Sequence, residues 1–535
     1  MGEETGNVTR GVMKFRAMVF SSFALAVCCA APAVAQYDVL IRGGWVLDGL
    51  GNPPVVTSVA ILGDRIVAVG ELSGATARLV VDASGLHVSP GFIDVHSHAG
   101  GGLATEELSH AKPLLAQGIT TAVLNPDGGG PADLVQQRRD LLAHGLGVNV
   151  ALLVPHGSVR RAIMEMEDGE PTPAELGRMV DMVRNGMDAG AFGLSSGLYY
   201  APGSYAETEE VIALARVAGE YSGVYTSHIR DEADYSIGLV GAVDEVIRIA
   251  READITGVVT HVKALGPRVW GYSEMIVEHI QQARDDGVRV YADQYPYEAS
   301  GTSITGALIP RWAQVGGRDV LLERMMNPNT RGRLRADVIE NLDRRGGAGR
   351  LQFSRHAADP SIEGRTMEEV AQERGVEPAE LALQLLEAGG AGLVNFNMDA
   401  GDIAALMRQP WTMTSSDGGL TAMGQGVPHP RFYGTFPRKI RKYVREDGVL
   451  ELTAAIRSMT SLPASVFGMT GRGVIRVSAI ADVVVFDLER FVDKATYTDP
   501  HQLAEGVVYV FVNGQVALER GGFGVELHGA VLALN

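Results

Sequence analysis

The chain has 535 residues, 46% hydrophobic and 21% charged, with 46 Lys and Arg against 64 Asp and Glu for a formal net charge of −18. That is a globular composition, long enough for one large barrel with an appendage or for roughly two to four domains. The sign of the charge speaks against nucleic acid as a partner, which needs a basic stripe, but not against a small anionic substrate that meets a local positive field.

The first segment, residues 1–35, reads as a signal peptide. Lys14 and Arg16 precede an apolar, Ala-rich stretch from Ala17 to Ala31, and Ala33 to Gln36 offers a small-x-small cleavage pattern with a cut after Ala35. The stretch is short for a membrane span of ~20 residues. The expectation is therefore export to the periplasm or beyond, with no membrane insertion after processing. Both cysteines, Cys28 and Cys29, fall in this segment. The mature chain then has no disulfide and no thiolate ligand, and a metal site must use His, carboxylate and water.

Residues 36–90 read as short strands broken by Gly-Asn-Pro-Pro and Gly-Asp turns, and residues 466–535 read the same way, with an Asn-Gly turn at Asn513 and Gly514. Two β-rich flanks around a different middle predict one small β-sandwich domain built from both chain ends. The middle, residues 91–465, alternates strand-like runs with helical segments such as Thr172 to Ala189, Thr208 to Tyr221 and Tyr235 to Glu252. Eight such units in series predict an α/β fold, a (β/α)8 TIM-like barrel. An insertion at about residues 298–410, between the seventh and eighth strands, is a candidate lid.

Polar residues mark the ends of these runs. His96 and His98 end the first, Asp127 follows the second, His228 ends the fifth, His261 the sixth, and Asp417 follows the eighth. In a barrel those ends converge on one mouth, where active sites lie. Each alone has a blander reading: a strand-end His as a structural hydrogen-bonder, or Asp417 before Gly as a turn residue. Together they suit zinc or a similar divalent ion, because neutral imidazoles with carboxylates are its ligands.

The stretches SPGFIDVHSHAG, GLYYAPG, YTSHIRDE, THVKALG, ADQYPYEASG, TSSDGG and HPRFYGTFPR, spread from about residue 37 to the C-terminus, resemble the amidohydrolase superfamily and within it the D-aminoacylase (N-acyl-D-amino-acid deacylase) family. The resemblance implies a barrel with a β domain from both termini and zinc, as one or two ions. It implies hydrolysis of the amide of a small N-acyl-D-amino acid or short peptide. It places His96 and His98 at one metal position, His228 and His261 at the other, and Asp417 as general base. It places Lys263, Arg431, Tyr200 and Tyr297 around the substrate carboxylate. One departure stands out. Asp127, in NPDGGG, falls where the best-studied branch has a ligating Cys, so it is either a harder metal ligand or only a turn residue. No Lys occurs in GAFGLSSG or VNVALLVPHG, which argues against the hydantoinase-like branch with its carboxylated lysine. His429 reads as an orienting or lid residue, and His156 as structural. The other enzyme reading is a broader metal-dependent amidase or dipeptidase. A binding protein that has lost its chemistry should also have lost these ligands. Acyl and side-chain specificity and the oligomeric state are not written in the motifs.

Overall fold

The structure, a computed structural model, describes residues 36–534; the expected signal peptide lies outside the described residues. Among the described residues no helix is long and apolar enough to cross a membrane.

The β domain is organised by its longest strand, Tyr37–Val46. One edge of that strand pairs antiparallel with Val55–Leu62. The other pairs in parallel, first with Ala77–Asp82 and then with His87–Pro90. The register shifts between Ile41 and Gly44, and a Cβ on Gly44 would stand 2.6 Å from the Val88 side chain, so this bulge needs glycine. His87–Pro90 passes the sheet to Val483–Phe486, which pairs with Val507–Val512, which pairs with Gln515–Glu519. The Asn513–Gly514 turn joining the last two has positive φ at both residues, 49° and 81°, as a tight hairpin requires. Val39, Ile41, Val59 and Ile61 from one chain end pack with Val483, Val485 and Phe511 from the other. The two ends thus share one sheet and one core. The two layers expected of a sandwich are a single nine-stranded sheet in hydrogen bonding, because Tyr37–Val46 is long enough to pair with two strands along one edge.

The middle of the chain forms parallel strands in sequence order. Phe92–Asp94, Ile119–Leu124 and Asn149–Leu152 make one sheet. Val154–Pro155, Gly193–Gly197, Val224–His228, Thr256–Val259, Val290–Gln294 and Thr412–Thr414 make the next. The third strand is interrupted at Leu153, and its two halves serve the two sheets. Beyond the last strand, Gly418–Gly419 pairs with Ser97–His98 of the first, which joins the two ends of the series. Alternation along the strands splits the side chains into two cores. Ile93, Val95, Val123, Leu153, Phe192, Val224, Val258 and Met413 pack with one another. Ala122, Leu124, Val150, Leu152, Leu194, Tyr225 and Val259 pack in the core shared with the helices. Each Val, Leu, Ile, Phe or Met among them contributes ~1.5–3 kcal/mol on burial.

The helices start where the sequence says they should. Pro173–Asp188 opens with a capping box: the Thr172 hydroxyl accepts from Glu175 N at 3.3 Å and the Glu175 carboxylate accepts from Thr172 N at 2.8 Å. Leu239–Glu252 buries Leu239, Val243, Val246, Ile247 and Ala250, one apolar stripe at helical spacing.

The inserted segment has its own three-stranded antiparallel sheet, with Gly392–Asn395 between Ser300–Ser303 and Leu351–Arg355. Leu308, Leu334, Val338, Phe353, Leu381 and Leu386 form its separate core. It ends sooner than expected. The helix Ala400–Met407 packs against Ser273–Asp285, and its Leu406 belongs to the core of the parallel strands.

Candidate metal centre

The strand ends and the loops after them bring His96, His98, Asp127, His228, His261 and Asp417 together. Their potential ligand atoms fall into two groups, each within 4.8 Å: His96, His98, Asp127 and Asp417, and Asp127, His228 and His261. Asp127 belongs to both. Its Oδ1 lies 3.4 Å from His96 Nε2 and 3.4 Å from His261 Nε2. Its Oδ2 lies 3.4 Å from His98 Nε2 and 3.7 Å from His228 Nδ1. Asp417 Oδ1 is 3.2 Å from His98 Nε2 and 3.7 Å from His96 Nε2. Two ligands at ~2.0–2.1 Å from one tetrahedral ion lie ~3.3 Å apart, so this spacing suits a shared cation better than direct hydrogen bonds. The buried His96 Nε2, both His228 ring nitrogens and Asp127 Oδ1 have no hydrogen-bond partner in the protein. Buried polar atoms are normally paired, and bound metal would satisfy His96 Nε2, Asp127 Oδ1 and His228 Nδ1, the ring nitrogen that faces Asp127, while His228 Nε2 lies 3.6 Å from Glu232 Oε2. The residues therefore fit a one- or two-ion site with nitrogen and oxygen ligands.

The backbone is bent to make this possible. Asp127, His261 and Asp417 have φ of 55°, 36° and 49°, in the left-handed region that non-glycine residues enter at a cost. Gly197 lets the Asp127 loop approach, since a Cβ there would sit 2.1 Å from the Asp127 carbonyl oxygen. Asp417 N donates to the His96 carbonyl at 2.9 Å, and the buried Asp94 carboxylate accepts from Ser416 N at 2.7 Å. These bonds lock the first and eighth strand ends together. Asp293 Oδ1 accepts from His261 N at 2.9 Å and fixes the sixth against the seventh. Asp94 is pushed up to about 6, because burial outweighs its bonds to Ser416.

The local charge is balanced in pairs. Burial alone would raise the Asp417 carboxyl, but Arg431, whose Nη1 is 2.8 Å from Asp417 Oδ2, and His98 hold it well below its ordinary range. Burial opposes ionisation of Glu232 likewise, but Lys263 and the nearby histidines hold it below its ordinary range. Lys263 pairs with Glu232 and donates to the His261 carbonyl at 2.9 Å. Glu232 Oε1 is also 3.2 Å from His261 Nδ1. Lys263 Nζ lies 2.8 Å from the same nitrogen, so Glu232 and Lys263 together hold the ring in place.

A cavity of about 810 Å3 opens onto these groups, lined by His98, Asp127, Asp417 and by Lys263, Arg431 and Tyr200 of the expected substrate side. The Tyr200 ring lies 4.7 Å from that of His228, and its hydroxyl is 3.1 Å from Thr302 Oγ1. Tyr297 is placed elsewhere. It is 1% exposed, its hydroxyl faces the Pro430 carbonyl at 3.4 Å, and its ring packs under Arg438 and against His429. The tyrosine of that Tyr-Pro-Tyr run which lines the cavity is Tyr295, because Pro296 turns the chain between them. His429 accepts from Arg431 N at 3.0 Å and meets the Ala299 carbonyl at 2.9 Å, so it orients Arg431. His156 is buried 2.8 Å from Glu210, which also binds Arg160, away from the ligand groups. Sequence reasoning passed over Glu232, Asp94 and Asp293. The first stands four residues after His228 and the second two before His96, a spacing that marks both as neighbours of a ligand.

The fold and this donor set define a metal-centred hydrolase scaffold, and comparison with known proteins agrees. The amidohydrolase family model matches residues 79–518, and the chain belongs to that family. An N-acyl-D-glutamate deacylase of Alcaligenes xylosoxydans xylosoxydans is 36% identical over 501 residues, covering 90% of this chain and 93% of the relative. A D-aminoacylase of the same organism is 33% identical, covering 93% and 98%. A crystal structure of N-acyl-D-glutamate deacylase from Bordetella bronchiseptica, complexed with zinc and a phosphonate mimic of the tetrahedral intermediate, matches with a TM-score of 0.79 and 33% identity over 93% of this chain and 99% of that one. A D-hydantoinase structure, at 16% identity and a TM-score of 0.56, shares the fold.

Proposed function

We propose that the protein hydrolyses the amide bond of N-acyl-D-amino acids at a zinc centre, giving a carboxylate and a D-amino acid. The observation that carries this reading is the pairing of a carboxylate shared by two ligand groups, Asp127, with an Asp417–Arg431 ion pair at the same cavity. The relatives named for deacylation of D-amino acids, and the zinc in the Bordetella structure, support it. When bound, the cation would polarise the scissile carbonyl and acidify a water. Asp417, kept ionised by Arg431, accepts the proton of the attacking water and passes it to the departing nitrogen. Arg431 is within reach of both that base and a substrate carboxylate one carbon from the nitrogen, and its planar fork suits bidentate binding. Lys263 and Tyr200 complete that side of the cavity. The architecture we assign is a (β/α)8 barrel with a β domain from both chain ends, and the inserted segment acts as a lid. Its support is the run of parallel pairings in chain order, carried over two sheets by the divided third strand and joined at its ends by Gly418–Gly419 on Ser97–His98, and the presence of Ser300, Gly301 and Thr302 at the cavity wall. The N-terminal sequence supports export.

The test is steady-state kinetics on N-acetyl D and L pairs. With carbonyl and carboxylate both anchored, inverting Cα breaks one contact at ~2–5 kcal/mol, so the D form should be favoured ~30-fold or more. Chelation should abolish turnover and zinc restore it. Faster hydrolysis of the L form, or full activity without metal, refutes the proposal.

A further inference from the structure

The strand Gly193–Gly197 gives no ligand atom to either group of the centre, although it presses on the loop that carries Asp127. Its two serines face opposite ways. Ser196 meets the Tyr225 hydroxyl at 2.7 Å, while Ser195 turns to the loop. Ser195 is fully buried, and its hydroxyl is used on both sides of Asp127. It donates to the Asn125 carbonyl at 2.5 Å and accepts from Gly128 N at 3.2 Å. Among the described residues no other side chain bonds the backbone on both sides of Asp127. The loop needs such a restraint. Asn125, Asp127 and Gly128 have φ of 62°, 55° and 65°, in the left-handed region, and only the last is glycine. The Asn125 side chain donates to Gln137 and to the Leu153 carbonyl, and the Gly128 carbonyl accepts from Ser158 N at 3.1 Å. Those bonds hold either end of the loop, and none of them spans Asp127.

We infer that Ser195 is a positioning residue for the cation: it presets the loop, before any ion binds, in the shape that turns both Asp127 oxygens to the two ligand groups. This rests on the metal centre of the proposed function and not on its substrate. A hydroxyl has one hydrogen to donate and can accept two, and Ser195 uses both capacities on this loop. Without it, a carbonyl and an N–H are left unpaired in a buried place, and the backbone must shift to satisfy them. Ligands must stand within ~0.5 Å of their productive geometry. Asp127 is the ligand such a shift harms most, because its oxygens face four imidazole nitrogens at 3.4–3.7 Å. The strand thus serves the centre through one hydroxyl acting on a neighbouring loop.

A double-mutant cycle on zinc affinity tests this, read by competition against a chelator of known affinity, with urea denaturation of the metal-free protein as the control for folding. Ser195→Ala should weaken zinc binding about 10-fold or more, the range for a group that orients a ligand. In the Asp127→Asn background the same change should cost less than about 2-fold, because a residue that acts through the carboxylate has nothing left to position. Ser195→Cys, with a weaker donor and acceptor, should fall between Ser195→Ala and the wild type. Lower urea stability with unchanged zinc affinity overturns the inference, and so does an equal loss of affinity in both backgrounds. Hydrogen exchange on the wild type keeps the test open if the variants fail to fold. The Gly128 amide should already be protected in the metal-free protein. Protection that appears only after zinc is added shows that the ion shapes the loop, which overturns the inference while leaving the metal centre intact. A wild type that binds no zinc overturns the metal centre, and this inference with it.

Discussion

Asp127→Asn is the most informative single change in the centre. The side chain keeps its size, and Asn tolerates the φ of 55° that Ala or Val would strain, so the loop should keep its shape. What changes is charge. The Asp127 oxygens lie 3.4–3.7 Å from four imidazole nitrogens and serve both ligand groups. Removing a residue that merely orients a ligand typically costs 10–100-fold in metal affinity. A shared ligand should cost at least the upper end of that range, ~100-fold or ~2.8 kcal/mol, at one position. The assay is metal stoichiometry by elemental analysis together with competition against a chelator of known affinity, with circular dichroism as the control for folding. The expected variant retains at most one ion at concentrations where the wild type holds its full complement. Unchanged stoichiometry and affinity would show that Asp127 shapes the loop and nothing more.

Two further outcomes follow from the charges around it. Glu232→Gln leaves Lys263 buried without its partner, both side chains being 4% exposed, so it should destabilise the fold by ~3–5 kcal/mol in urea denaturation; adding Lys263→Met should restore part of the loss, and a cost below ~1 kcal/mol refutes the pairing argument. In the metal-free protein, burial lowers His98 and His261, but Asp127 with Asp417 carries the first up to about 9, and Asp127 with Glu232 carries the second up to about 10 against Lys263. Those protons compete with the ion below these values, so metal affinity should rise from pH 6 towards pH 9 with proton release, and a flat profile would contradict it.

The sequence by itself determined where the candidate ligands lie along the chain. Apolar runs that end in His96, His98, His228 and His261 are legible because several buried strands that finish in imidazoles at matching positions converge on one mouth, whereas one alone could be a structural hydrogen-bonder. Asp417 after the eighth run belongs to the same pattern. The β-rich flanks and the capped helix Pro173–Asp188 were readable for equally local reasons: turn residues, alternation and a Thr-x-x-Glu box. Only the tertiary structure decided that Asp127 is shared between two ligand groups. That depends on a left-handed loop pressed against Gly197, which no local pattern specifies. It decided which tyrosine of the Tyr-Pro-Tyr run faces the cavity, because Pro296 breaks the alternation that would have shown it. It decided that Tyr37–Val46 carries two partners along one edge, which depends on register rather than composition. And it brought Thr302 to the cavity from an inserted segment with its own core, because the docking of one core on another is a property of surfaces, and the residues at such a contact carry no periodic mark in the chain.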